Sequence, residues 1–151
     1  MKNRLLSAIG LLLALAMLCT VTAFADDSTV RIGGAAELAA LGGKELIGKI
    51  ELTQDIDMSG VTMEPITSFA GEFNGNGYTI KNLTISAELA ENYITKGAAL
   101  FAAFSGTAHD VVFENPSITL TKGQNVGTAV LCGVVGDGGA TIENVGIVGG
   151  S

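Results

Sequence analysis

Ile80-Lys81-Asn82-Leu83-Thr84-Ile85 carries a rhythm that the rest of the chain repeats. Its core is a polar Asn or Asp, an aliphatic residue, any residue, and then a large apolar residue. The same pattern occurs as Asp55-Ile56-Asp57-Met58, Asp110-Val111-Val112-Phe113 and Asn144-Val145-Gly146-Ile147, so successive polar positions are 27, 28 and 34 residues apart. Leu83 and Ile85 are two apart and share one face of a strand. Ile80 and Leu83 are three apart, and a straight strand would send them to opposite faces. A bend at Asn82 returns both to one interior. Asn and Asp tolerate the left-handed backbone and bond their own main chain, so they suit such a corner. Ile142-Glu143-Asn144-Val145 reads the same way, and Asp110 and Asp55 are expected at equivalent corners.

A short strand, a polar corner and another short strand, recurring every ~30 residues, is what a solenoid requires. The expectation is an all-β fold, a right-handed parallel β-helix of about four coils stacked ~4.8 Å apart. Ile56, Leu83, Val111 and Val145 would form one inward column, and Met58, Ile85, Phe113 and Ile147 the next. Asp55, Asn82, Asp110 and Asn144 would stack as a corner ladder, imperfect where two carboxylates meet. The glycine-rich stretches Gly71–Tyr78, with its two Asn-Gly pairs, and Asp137-Gly138-Gly139 are expected as turns between strands. Residues 86–99 and 114–126 read as longer excursions, with Asn115-Pro116 as a turn initiator.

Residues 26–48 differ. A strand at Thr29 to Ile32 leads to Ala35-Ala36-Glu37-Leu38-Ala39-Ala40-Leu41, a run of good helix formers with Leu38 and Leu41 on one face, stopped by Gly42-Gly43. This segment is expected to cap the open N-terminal end of the solenoid. Residues 49–151 would hold the repeats. No matching cap is readable after Val148, which suggests a repeat region truncated at its C-terminus and able to associate end to end.

The first 25 residues read as an export signal. Lys2 and Arg4 precede an apolar run from Leu5 to Val21, and Ala23-Phe24-Ala25 is a small-x-small cleavage site. The expected location is therefore secreted or at the cell surface. Cleavage leaves 126 of the 151 residues, one domain's worth, with six basic residues against fifteen acidic ones. Such a balance, without basic clusters, excludes a nucleic-acid binder. No later apolar run approaches the ~20 residues of a membrane helix. Cys19 lies in the signal, which leaves Cys132 as a small buried hydrophobe with no disulfide partner.

Phe69-Ala70-Gly71-Glu72-Phe73-Asn74-Gly75-Asn76-Gly77-Tyr78-Thr79-Ile80-Lys81-Asn82-Leu83 resembles the start of the GLUG-motif repeat regions of bacterial surface proteins, F-x-G-x-F-D-G-N-G-Y-x-I-x-N-L, with Asn74 in place of the usual Asp. Gly97–Phe104 and Val126–Gly133 are degenerate versions of the name-giving Gly-Leu-x-Gly element, and Leu52-Thr53-Gln54-Asp55-Ile56-Asp57-Met58 matches the usual lead-in. The resemblance spans roughly residues 30–148. It implies a right-handed β-helix on an exported, adhesin-like protein that binds a host protein or a glycan. Some relatives carry such repeats beside a zinc metallopeptidase domain of the immunoglobulin A-cleaving type.

Chemistry-bearing patterns are sparse. The single histidine, His109, cannot supply H-E-x-x-H, and no Gly-x-Ser-x-Gly elbow accompanies it. A surface or corner role is expected for it. Asp55 and Asp57 could share a strand face, and with Glu51 they are the weak candidates for calcium. The same pair could serve acid–base work on a glycan beside Lys49 or Lys81, against the simpler reading of a solvated acidic edge. Tyr78, Phe69, Phe73, Phe101 and Phe104 could line a sugar-binding strip, although inward positions would make them core. Asn82-Leu83-Thr84 fits a glycosylation sequon but reads better as corner chemistry. The reading that results is non-catalytic, with no cofactor. The alternative is an N-terminal fragment of a larger extracellular enzyme, either a metallopeptidase or a glycan-active β-helix.

Overall fold

A computed structural model describes residues 28–88, 96–122 and 127–151. The expected signal peptide, residues 1–25, lies outside the described residues. The fold is all-β and its sheets are parallel. The one helix among the described residues, α1 (Ala35–Ala39), follows β1 (Thr29–Ile32). Leu38 and Leu41 are buried, in one core cluster with Ile32.

The chain then passes repeatedly along the same lines. β2 (Glu45–Leu52), β5 (Ser68–Asn74) and the first half of β8 (Phe104–Glu114) lie side by side in parallel, Leu46 opposite Phe69 and Phe69 opposite Phe104. β1 extends this sheet beyond β2, and β10 (Val135–Val148) extends it beyond β8. β3 (Ile56–Asp57), β6 (Thr79–Lys81) and the second half of β8 form a further run of the same sheet. β4 (Thr62–Met63), β7 (Thr84–Glu88) and β9 (Ser117–Lys122) form a separate parallel sheet. Single parallel bridges join Ile66 to Phe101 and Phe101 to Cys132. Parallel pairing of this kind needs a long connection between partners, and here the rest of each pass supplies it.

The register corrects the expected columns. Ile56 faces Ile80 rather than Leu83, and Ile80 faces Phe113, which faces Ile147. Val111 pairs with Val145 as expected, but Ile85 lies between Met63 and Ile118. The cause is two separate corners. Asp110 and Asn144, with φ of 55° and 51°, share one. Asn82, with φ of 54°, stands at another, where its N–H donates to the Glu114 carbonyl beside Asn115, itself at φ 50°. Both corners open a short strand with the same polar-aliphatic pattern, so sequence spacing alone merges them. Asp55 does not share their positive φ. Its carboxylate instead accepts the Thr79 N–H at 2.9 Å, from the next pass.

Other expectations shift as well. Gly71 lies inside β5 and Asp137-Gly138-Gly139 inside β10. The turn contracts to Gly75–Tyr78, where the Tyr78 N–H donates to the Gly75 carbonyl and Asn76 and Gly77 have φ of 52° and 81°. Those angles belong to the primed turn that Asn-Gly favours, used here to change direction within a pass rather than to close a hairpin. β7 enters the first stretch read as an excursion only at 86–88, whereas β9 fills the middle of the second. What remains of those expectations at 89–95 and 123–126 lies outside the described residues.

No polar or charged side chain is buried among the described residues. Phe69, Phe73, Phe101 and Phe104 meet in the interior, with ring centroids 5.1 to 5.9 Å apart. Tyr78 packs against this core and is only partly buried. The aromatics therefore fill the interior instead of lining a surface strip. Each fully buried large apolar side chain contributes roughly 1.5–3 kcal/mol.

Candidate functional site

With the core wholly apolar, polar chemistry is confined to the outward faces, where the parallel register sets which groups meet. Lys49 lies directly opposite Glu72, Arg31 opposite Glu51, Lys81 opposite Glu114 and, after a bulge, Lys122 opposite Glu88. Each pairing is an ion pair: Lys49–Glu72 at 3.1 Å, Arg31–Glu51 at 3.7 Å, Lys81–Glu114 at 3.8 Å, and Lys122–Glu88 in close contact. Exposed pairs contribute little stability. They do discriminate between registers, because a slip by one residue would break all four while turning the core outward.

The densest cluster crosses β1, β2, β5 and β8. Lys49 bonds Glu51 at 2.8 Å as well as Glu72. These two bonds, Glu51 first, raise the Lys49 pKa, and Lys49 in turn lowers both carboxylates. Glu72 Oε1 also lies 3.2 Å from His109 Nε2, while His109 Nδ1 lies 2.8 Å from Asp110 Oδ2. The other Asp110 oxygen accepts from Asn144 Nδ2. Asn144 first and then His109 hold the Asp110 carboxyl below its ordinary range.

A neutral imidazole has one N–H and can satisfy only one of its two carboxylate neighbours, whereas the imidazolium satisfies both. The bond to Asp110, helped by the one to Glu72, raises the His109 pKa above 6.5 against a smaller opposing effect of burial. Glu143, directly across on β10, adds negative potential, and Asn74 faces it from β5. A raised folded-state pKa stabilises the fold fully below the unfolded value and loses that contribution as pH rises through the folded one. The melting temperature is therefore expected to decline from about pH 6 to about pH 8, and His109→Gln should flatten this decline. Thermal melts across that range check it, and an equal slope in the variant would remove His109 as the cause.

The calcium candidates are engaged elsewhere. Asp57 Oδ1 accepts from the Ser59 N–H at 2.9 Å, the Ser59 hydroxyl at 2.7 Å and Asn82 Nδ2 at 2.9 Å. These bonds, Asn82 first, bring its pKa down to about 2. Asp55 is committed to Thr79, and Glu51 to Lys49 and Arg31. Among the described residues no three His, Cys, Asp or Glu side chains are grouped to hold a metal. Lys49 and Lys81, considered as partners for glycan chemistry, are likewise held in the cross-strand pairs.

Sequence reasoning missed a groove of about 580 Å³ along the second sheet. Thr62, Glu64, Thr67, Ser86, Glu88 and Thr121 contribute hydroxyls and carboxylates to its lining, and no aromatic ring among the described residues does. The alternation Thr84-Ile85-Ser86 and Ser117-Ile118-Thr119 was the available signal, since it places hydroxyls outward wherever the Ile is core. Cys132 is a free, partly buried thiol whose pKa burial raises. No helix among the described residues is long and apolar enough to cross a membrane.

Comparison with known proteins finds no matching family model, no matching curated protein and no matching solved structure.

Proposed function

We propose that the chain is an exported, non-catalytic module of a bacterial cell-surface or secreted adhesin-like protein, its parallel ladders being successive coils of a right-handed β-helix of the GLUG-repeat kind. The observation that carries this reading is the recurrence of the same pairing lines from pass to pass, with an apolar interior and, among the described residues, no charge buried in it. Stacked passes of this kind create long outward faces suited to many weak polar contacts. The hydroxyl- and carboxylate-lined groove along β4, β7 and β9 favours a glycan, held by hydrogen bonds, as the ligand. The ion pairs on the first sheet use their charges on each other, which suits a structural face better than a catalytic one.

Glycan-array binding by the purified protein tests this. Saturable binding is expected, weakened by Ser86→Val or Glu64→Gln, with array glycans intact after prolonged incubation. Cleavage of a bound glycan would overturn the non-catalytic reading, and binding unaffected by both substitutions would overturn the groove.

A further inference from the structure

The groove along the second sheet runs across the passes, not along a strand. Gly43 lines one end, its N–H donating to the Pro65 carbonyl of the next pass, and Glu64, Ser86 and Thr121 follow from three successive passes. Glu64 comes directly after Met63, whose partner is Ile85, and so aligns with Ser86, which pairs with Thr119. Parallel strands stand ~4.8 Å apart, so polar side chains recur along the groove at that interval. An extended β-1,4-linked sugar chain advances by about one such strand spacing per sugar, and successive rings would meet successive strands. Branched glycans and coiled α-linked chains do not keep that step.

The charges in the groove select among such chains. Glu88 is taken by Lys122, and Lys96 has a partner of its own. The exposed Glu64 carboxylate makes no ion pair or hydrogen bond among the described residues. Glu51, Glu72, Glu88 and Glu114 differ from it, each being held by a lysine. No aromatic ring among the described residues is there to stack on a sugar face, so affinity has to come from hydrogen bonds. Hydrogen bonds to a charged group are roughly twice as strong as neutral ones. We propose, resting on the glycan reading of this groove, that it binds a linear β-1,4-linked hexosamine chain with free amino groups. The chain lies across the passes at one sugar per strand, with one ammonium on Glu64. The same carboxylate repels acidic glycans such as uronate polymers.

Isothermal titration calorimetry on the purified protein tests this, in mildly acidic buffer that keeps the amines protonated. The probes are β-1,4-linked glucosamine oligomers of increasing length, their N-acetylated counterparts and uronate oligomers. The amino trimer is expected to bind at least ~10-fold more tightly than the amino dimer or the acetylated trimer. Longer amino oligomers should gain less than ~3-fold more, because β4, β7 and β9 offer three strands. Glu64→Gln should bring the amino and acetylated trimers within ~2-fold of each other. Glu143→Gln removes an exposed carboxylate on β10, outside the groove, and should shift affinity by less than ~2-fold. Equal losses in both variants would mean general attraction of an acidic protein for a polycation, and would overturn the proposal. Equal affinity for amino and acetylated trimers, or affinity independent of length, would also overturn it while leaving a glycan groove. Binding of no glycan at all would overturn the groove itself.

Discussion

Phe101→Ala lowers the unfolding free energy by about 3–5 kcal/mol. Phe101 is fully buried, and its ring lies 5.1 Å from Phe69, 5.2 Å from Phe104 and 5.4 Å edge-on from Phe73. Truncation removes the transfer energy of the ring and leaves a cavity where three other rings converge. That cavity resists collapse because its walls belong to different passes. The main chain at Phe101 also bridges Ile66 on one side and Cys132 on the other, so the backbone cannot shift inward without breaking parallel bonds to both. Urea titration followed by circular dichroism measures the loss, with Ile47→Ala as an exposed control expected within ~0.5 kcal/mol of wild type. A loss below ~1 kcal/mol at Phe101 would mean that the four rings are not a common core.

What the sequence disclosed and what it concealed follow one physical distinction. Period-two alternation and polar corners are local properties, so β1, α1, the bends at Asn82, Asp110 and Asn144, and the apolar interior were readable in advance. Register between passes is not local. Ile56 could equally have met Ile80 or Leu83, and the choice depends on how many residues each pass spends between its strands. The first full pass is shorter than the later ones: Thr79 reaches back 24 residues to Asp55, whereas Asn144 reaches back 34 to Asp110. Spacing in sequence averages over that difference, and Asp55, expected at an equivalent corner, lacks the positive φ of Asn82, Asp110 and Asn144. The charged cluster was concealed for the same reason. Glu72 and His109 are 37 residues apart, and nothing in either neighbourhood announces the other. The carboxylates that were noticed, Asp55 and Asp57, stood out because they are close in sequence, and the structure gives them main-chain and corner duties instead.

The glycines sharpen this point and supply the second large expected effect. In the sequence, Gly71 reads as part of a turn-rich stretch. In the structure it stands inside β5, with Gly48 opposite on β2 and Gly106 opposite on β8. The three have φ of 152°, 100° and 127°. A Cβ at Gly71 would lie 1.8 Å from the Gly48 carbonyl oxygen, and one at Gly106 would lie 2.0 Å from the Gly71 oxygen. These obstructing atoms are backbone of the adjacent strand and cannot rotate away. Gly71→Ala must therefore either push β2 and β5 apart or force the strand out of its conformation. Overpacking costs about 1–3 kcal/mol and an unfavourable backbone region a further 1–2 kcal/mol. A combined loss of roughly 2–5 kcal/mol is expected, a large fraction of the ~5–15 kcal/mol by which a typical domain is stable. Gly138→Ala is the matched control. Its nearest obstacle is the Ser105 Cβ at 3.5 Å, an ordinary contact, and it lacks the positive φ. That substitution should be neutral or gain up to ~1 kcal/mol by restricting the unfolded chain. Chemical denaturation of both variants decides the matter. If Gly71→Ala matched Gly138→Ala, the close stacking of β2 on β5 at this column would be disproved, and with it the register that places Lys49 opposite Glu72.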